Sequence, residues 1–229
     1  MDNSDTSVWE IVCSKDKFDD LKSDDRFLAL LTLARFVNAL RFCQQAGTDA
    51  QDKDAPSGSR QRINSFWFCG SVLYEGFRVA ESLRKYYRDL NSFKNGFAIL
   101  LKDEDISALR ETLLKRMRNK FVFHFDRDVA GEALNNFKLP TYTFAVSRGR
   151  APEEMYFNLA DEAVNNYLLQ PKAEESDHDL QVRLENLMGQ IKNIIGRFVR
   201  ATEDLMAEAL AGMGWNVEKR SRGLVTLGV

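Results

Sequence analysis

The segment DHDLQVRLENLMGQIKNIIGRFVRATEDLMAEALAGMG, residues 177–214, carries the longest helical pattern in the chain. Its large apolar residues recur every three or four positions, which places them on one face of an α-helix. A face of this kind has to be buried against other elements of the fold. The apolar positions are Leu180, Leu184, Leu187, Ile191, Ile194, Ile195, Phe198, Leu205 and Met206.

Further segments show the same periodicity, so we predict an all-α fold, a bundle of about five to six helices. Asp24 and Asp25 precede the first long pattern, and Gly47 is a natural helix stop. Within the second long pattern, Trp67, Leu73, Phe77 and Leu83 form an internal stripe. The predicted helices cover residues 26–47, 64–90, 92–102, 105–125 and 159–170, in addition to the one at the C-terminal end.

Three segments do not fit the helical pattern. Residues 48–62 combine Pro, Gly, Ser and mixed charges, which predicts a flexible loop inside a single domain of residues 1–229. Residues 141–157 alternate apolar and polar positions around an SRGR turn, which predicts a small β-hairpin insertion. The tail, residues 215–229, either adds one strand or remains mobile.

Composition limits the classes of partner. The net charge is −2 and the pI about 5.8, so a nucleic acid would have to be bound by a local basic patch. We see no apolar run long enough to cross a bilayer and no signal peptide, which predicts a cytoplasmic protein without membrane association. The three cysteines form no CxxC pair and the two histidines are distant, so we predict reduced thiols, no metal site and no cofactor.

The segment RMRNKFVFHFDRD, residues 116–128, contains one of the two histidines, His124. On an ideal helix, His124 continues the apolar stripe of Leu113, Met117 and Phe121, and a histidine in that position is usually a hydrogen-bonded core residue. The alternative is a chemical site, because Arg118 and Asn119 stand shortly before His124. The sequence leaves both interpretations open.

An Arg followed by a polar residue and, a few positions later, a His near the end of a bundle helix resembles the motif of the HEPN superfamily, the higher-eukaryote and prokaryote nucleotide-binding domains. The resemblance covers residues 25–130 well and the hairpin region poorly. It implies a metal-independent endoribonuclease of the toxin or abortive-infection type, with an RNA substrate and a cognate antitoxin or regulatory protein as partner. Some members of the superfamily have lost activity and serve as binding modules.

The residue types suit this chemistry. A histidine titrates near neutrality and can move protons during attack of the ribose 2′-OH on the adjacent phosphate. Arg118 offers a fixed positive charge to the developing phosphorane, and Asn119 would orient His124 or hold a phosphate oxygen. Arg118 and His124 stand about 240° apart on a straight helix. The resemblance implies that two copies meet in a homodimer and form a composite cleft.

Two further sets of residues have a functional and an ordinary interpretation. Lys115, Arg116, Lys120 and Arg127 surround the motif and would track RNA phosphates, or they form a solvated helix face with pairs such as Glu111–Lys115. By resemblance, Glu75 on a neighbouring helix contacts the motif arginine. The ordinary alternative is a surface glutamate paired with Arg78.

Three hypotheses follow from these observations. The first is a HEPN-type ribonuclease that uses Arg118, Asn119 and His124. The second is a non-catalytic HEPN-like helical module that binds a protein or a nucleotide. The third is an unrelated helical bundle in which the motif occurs by chance.

Overall fold

The computed structural model describes residues 8–50, 55–122, 131, 146–147, 156–172 and 174–220. These residues are predominantly helical, as the sequence predicts. The helices are α1 (Lys15–Leu21), α2 (Asp25–Asp49), α3 (Ala55–Tyr87), α4 (Asn91–Asn95), α5 (Phe97–Leu100), α6 (Glu104–Leu109), α7 (Asn158–Leu169) and α8 (Asp177–Gly212). Two π-helical segments, π1 (Arg110–Leu114) and π2 (Met117–Val122), continue from α6.

Helix α8 closely matches the predicted pattern. Its N-terminus is fixed by a capping box in which the Ser176 hydroxyl accepts from the Asp179 N–H and the Asp179 carboxylate accepts from the Ser176 N–H. The predicted apolar face packs on the core, with Leu180, Leu184, Leu187 and Met206 half-buried at its edge. Its fully packed residues are Ile191, Ile194, Ile195, Phe198 and Leu205.

Helices α2 and α3 form an antiparallel pair. The start of α2 meets the end of α3, where the Tyr87 hydroxyl donates to the Arg26 carbonyl at 2.8 Å. At the opposite ends of both helices, Gln61 Nε2 donates to the Ala46 carbonyl at 3.0 Å. The predicted internal stripe of α3 is confirmed, since its members Trp67, Leu73, Phe77 and Leu83 are all buried.

The predicted loop at 48–62 is wrong over most of its length. Helix α2 continues past Gly47 to Asp49, and residues 55–62 already belong to α3. Gly47 does not end the helix, because it lies in the contact of α2 with Ser65 of α3, and this packing outweighs the weak helix propensity of glycine. Pro56 lies in the first turn of α3, where no intrahelical N–H bond is required.

The predicted helix at 92–102 is interrupted at Gly96, which separates α4 from α5. A Cβ on Gly96 would lie 2.9 Å from the Cβ of Ala201, so α8 passes directly over this break. The Glu208 carboxylate of α8 accepts from the backbone N–H groups of Asn91 and Ser92 at 3.2 and 2.7 Å. A side chain from α8 therefore caps α4, whose own N-cap, Leu90, has no polar side chain.

A two-stranded antiparallel sheet was not predicted from the sequence. Strand β1 (Val8–Val12) pairs with β4 (Asn216–Arg220), with Val8 opposite Arg220 and Val12 opposite Asn216. Of the two alternatives for the tail, residues 216–220 therefore form a strand. Residues 221–229 lie outside the described part of the chain.

The predicted β-hairpin falls mostly outside the described residues. Strands β2 (Val146–Ser147) and β3 (Tyr156–Phe157) pair antiparallel over two positions, with Val146 opposite Phe157. Two paired positions do not establish the predicted strands at 142–146 and 155–157. The hairpin remains a prediction.

Helix α2 is long and apolar enough to cross a membrane when only its length and composition are considered, with a hydropathy of 1.3. A core helix meets the same criterion, and α2 contributes Phe27, Leu30, Leu33 and Leu40 to the interior. The sequence prediction of a cytoplasmic protein without membrane association stays a prediction.

Candidate functional site

The helix that carries Arg118 and Asn119 changes its winding twice before it reaches them. Its first turn is capped by Asp103, whose side chain accepts from the Ile106 N–H at 3.2 Å. Beyond Leu109 the chain adopts π1 and then, after Lys115 and Arg116, π2. π-Helical turns are rare and occur often at functional sites, because the wider turn redirects the side chains that follow.

The close approach of π2 to α3 depends on Gly70. A Cβ on Gly70 would collide with the sulfur of Met117 and lie 3.3 Å from Leu114 Cδ2. Leu114 and Met117 are fully buried in this contact. The buried side of the π-helical region is therefore anchored on α3, which brings the next residue, Arg118, to the side of α3 that carries Glu75.

Glu75 of α3 and Arg118 of π2 form an ion pair across the helix interface. Arg118 Nε donates to Glu75 Oε1 at 2.5 Å. The side chains are 30% and 20% exposed, so the pair is partly shielded from solvent. Glu75 also accepts from Arg78 Nη1 at 3.3 Å, so the contact implied by resemblance and the ordinary surface pair occur together.

Arg118 also bonds to its chain neighbour. Its Nη1 donates to Asn119 Oδ1 at 3.0 Å. Glu75 and Asn119 thus hold the same guanidinium from two sides. Arg118 has in addition at least one interaction outside these contacts. A guanidinium held at several points presents its remaining N–H groups in a fixed direction.

A second ion pair joins the same two helical regions. Arg110 Nη1 of π1 lies 2.8 Å from Glu81 Oε1 of α3, and its guanidinium lies 6.0 Å from the Phe77 ring centroid. The π-helical region runs antiparallel to α3. The earlier residue, Arg110, therefore pairs with the later glutamate, Glu81, and the later residue, Arg118, pairs with the earlier glutamate, Glu75. The Arg110–Glu81 pair was not predicted from the sequence, because pairing across helices has no local spacing signal.

The predicted phosphate-binding residues do not share one environment. Lys115 Nζ pairs with Glu111 at 3.2 Å, which is the ordinary surface pair that the sequence analysis considered. Half-buried Arg116 has no ion pair with any residue in the described ranges. Lys120 belongs to π2, and nothing is described of its side chain. His124 and Arg127 lie outside the described residues.

Two cavities are lined entirely by described residues, and Glu75, Arg118 and Asn119 belong to the lining of neither. One, of about 450 Å³, lies between α2, α3 and α8. The other, of about 730 Å³, is an open groove between α6 with π1 and α8, with Asp103 and Arg197 on its walls. Arg197 Nη1 donates to Asp103 Oδ2 at 3.0 Å there. The Glu75–Arg118–Asn119 group therefore lies at the contact of π2 with α3 and outside both of these cavities.

Comparison of the chain with protein-family models, with curated proteins and with solved structures gave no match. Among the described residues no group of three or more His, Cys, Asp or Glu side chains is arranged to hold a metal ion.

Proposed function

We propose that the protein is a metal-independent endoribonuclease of the HEPN type, with a toxin or antiphage role, that acts as a homodimer. Arg118, Asn119 and His124 would form its active site. The observation that supports the proposal most directly is the network of Glu75, Arg118 and Asn119, in which a guanidinium is fixed beside its motif partner. This arrangement suits an arginine that has to meet a phosphate in one orientation.

The proposed reaction needs two kinds of group. His124 removes the proton from the ribose 2′-OH as its oxygen attacks the adjacent phosphorus, and a histidine returns a proton to the departing 5′-oxygen. Arg118 stabilises the negative charge that develops on the phosphorane oxygens. Glu75 is a positioning residue in this scheme, because it acts through Arg118.

The proposal requires a homodimer. Two copies of the motif, related by a two-fold axis, would supply two arginines and two histidines to one cleft. Sedimentation equilibrium at micromolar concentration is expected to give twice the 26.2 kDa chain mass. A monomer under these conditions would remove the composite site.

The activity itself is tested with a defined RNA and a matched substrate. Cleavage of a single-stranded RNA in excess chelator is expected to leave a 2′,3′-cyclic phosphate, because the 2′-oxygen is the nucleophile. The same oligonucleotide with a 2′-deoxy residue at the cleavage site should not be cut there. Cleavage of the deoxy position, or loss of all cleavage in chelator, would contradict the mechanism.

A second candidate function, a non-catalytic helical module that binds a protein or nucleotide, is favoured by the charge pairing. Arg110, Lys115 and Arg118 each face a glutamate, which reduces the positive potential available to RNA. Helix α2 also carries exposed Leu28, Leu31 and Phe42, which lie within about 60° around its axis. A helix face that exposes several large apolar side chains can serve as a protein contact surface. A folded dimer that binds but does not cleave any RNA would favour this function.

A further inference from the structure

Two cysteines face each other where α2 crosses α3. A Cβ on Gly47 of α2 would lie 3.5 Å from the Cβ of Ser65 on α3, so the two backbones are very close at that level. Cys43 precedes Gly47 by four residues and Cys69 follows Ser65 by four, which is about one helical turn in each case. Because the helices are antiparallel, both steps lead along the interface in the same direction. Cys43 and Cys69 therefore lie opposite each other.

Both thiols open onto the cavity of about 450 Å³ between α2, α3 and α8. Cys43 is 9% exposed and Cys69 is 5% exposed, and both contribute to the cavity wall. The rest of the wall combines apolar residues, uncharged polar residues and two cations. A small reagent in the cavity would lie against both cysteine residues, next to Phe66, Met188, Ile191, Ile195, Arg62 and Lys192.

The two sulfur atoms are electrostatically distinct. Hydrogen bonding with Cys69 lowers the pKa of the Cys43 thiol, whereas hydrogen bonding with Cys43, together with burial, raises the pKa of Cys69. Cys43 is the thiol that ionises first. Arg62 and Lys192 also belong to the cavity wall. A reactive thiolate beside a second thiol is the arrangement of an attacking and a resolving cysteine.

We propose that Cys43 and Cys69 form a modification site that a peroxide oxidises to a disulfide, covalently joining α2 to α3. The Cys43 thiolate attacks one peroxide oxygen, the O–O bond breaks, and the other oxygen leaves as water after taking up a proton. Cys43 is then a sulfenic acid. The Cys69 sulfur attacks the Cys43 sulfur, the S–O bond breaks, and the hydroxyl leaves with the Cys69 proton as a second water. Two thiols are oxidised by two electrons and one peroxide is reduced.

The helix spacing suits the product. Disulfides require Cβ atoms about 3.5–4.5 Å apart. At the Gly47–Ser65 contact, one turn away, a Cβ on Gly47 would lie 3.5 Å from the Ser65 Cβ, which is within this range. The new bond would close a loop from 43 to 69, which restricts the unfolded chain and raises the resistance of the oxidised protein to unfolding.

In the test, the folded protein of residues 1–229 is treated with a small molar excess of hydrogen peroxide, its free thiols are blocked, and its tryptic peptides are mapped without reduction. Trypsin releases Cys43 in peptide 42–53 and Cys69 in peptide 63–78, so the link yields one joined species. We expect this species to form, to disappear with dithiothreitol, and to raise Tm relative to the reduced protein. Cys13, which is half-buried, should remain alkylated as a free thiol.

Two cysteine variants show whether the link requires Cys43 specifically. Cys13→Ser should form the link as the wild type does, whereas Cys43→Ser should give no intramolecular link and no rise in Tm. A second probe, phenylarsine oxide, bridges paired thiols and should protect Cys43 and Cys69 together in the untreated wild type. Overoxidation of Cys43 without a link, linkage that appears only in denaturant, or preferential linkage through Cys13 would each overturn the proposal.

Discussion

Arg118 donates from Nε to Oε1 of Glu75 at 2.5 Å and thereby ties π2 to α3 at the centre of the candidate site. Both partners are less than one-third exposed, so solvent screens this pair less than the other ion pairs nearby. The same carboxylate holds Arg78 on its outer side. This contact links the stability of the helix interface to the orientation of the proposed phosphate-binding guanidinium.

The Glu75–Arg118 contact should be measurable as a coupling energy. In a double-mutant cycle of Glu75→Gln and Arg118→Gln, urea unfolding should give a coupling of about 1–2 kcal/mol, because the bond is charge-assisted and partly shielded. The exposed pair of Glu111 and Lys115 serves as the control and should give a coupling near zero. Equal couplings for the two pairs would show that Glu75 does not anchor Arg118.

Substitution of Gly76 by a larger residue should destabilise the fold. A Cβ at this position would lie 2.9 Å from the Phe198 ring, which cannot shift easily because it packs edge-on against Phe77 and Phe97. Gly76→Ala is therefore expected to lower the free energy of unfolding by about 1–3 kcal/mol. Gly196→Ala on α8 is the control. Apart from the local helix backbone, no atom in the described part of the chain lies within 4 Å of its added methyl group, so helix propensity should raise stability by about 0.5–1 kcal/mol.

Acid should remove the stability that the ionised Asp24 carboxylate contributes at the start of α2. Hydrogen bonds from the Arg26 side chain, and then from its backbone N–H, hold the pKa of Asp24 at about 2, below its ordinary value of 3.8. A depressed carboxyl pKa stabilises the fold above the unfolded pKa. This stability is lost as the pH falls from about 4 toward about 2.

Asp24→Asn keeps an oxygen for the helix cap and removes the titrating charge. The variant should therefore show a flatter decline of Tm across this pH range than the wild type. The exposed residue Asp20 on α1 provides the control substitution, Asp20→Asn, which should follow the wild-type curve. Identical acid limbs for wild type and Asp24→Asn would contradict the assignment.

RNA binding should depend on Arg116 more than on Lys115. Lys115 is paired with Glu111, whereas Arg116 has no ion pair within the described residues. Arg116→Gln is expected to weaken binding to single-stranded RNA and to reduce the slope of log affinity against log salt by about 1. Lys115→Gln should change the slope less. The phosphate-tracking hypothesis fails if wild-type binding is insensitive to salt.

Local periodicity was sufficient for the long helices, because α8 and the Trp67–Leu83 stripe of α3 each have one apolar face that repeats along the chain. The first turns of α3 were missed because Pro56 and Gly58 favour loops in isolation, while tertiary contacts such as Gln61 to Ala46 stabilise the helix. The pairing of Val8 with Arg220 joins residues far apart in the chain and has no local signal.

For the candidate site, the sequence was sufficient to find the residues but not the packing that positions them. Arg118 and Asn119 were found from their spacing to His124, and the contact with Glu75 was expected only by resemblance to the HEPN motif. The Gly70–Met117 packing that positions Arg118 could not be read from the sequence, because it depends on which helix faces meet. The opposition of Cys43 and Cys69 depends on the same kind of information, the register between two antiparallel helices.

The most direct test of the proposed ribonuclease is the cleavage rate of one RNA, in excess chelator, by wild type, Arg118→Ala, His124→Ala and the double variant, each confirmed to be a folded dimer. We predict that either single substitution reduces kcat by at least about 10³-fold and that the double variant is little slower, because the two residues act as one unit. Cleavage by the double variant at the wild-type rate would contradict the proposed active site. A loss of stability in His124→Ala without loss of cleavage would identify His124 as a core histidine.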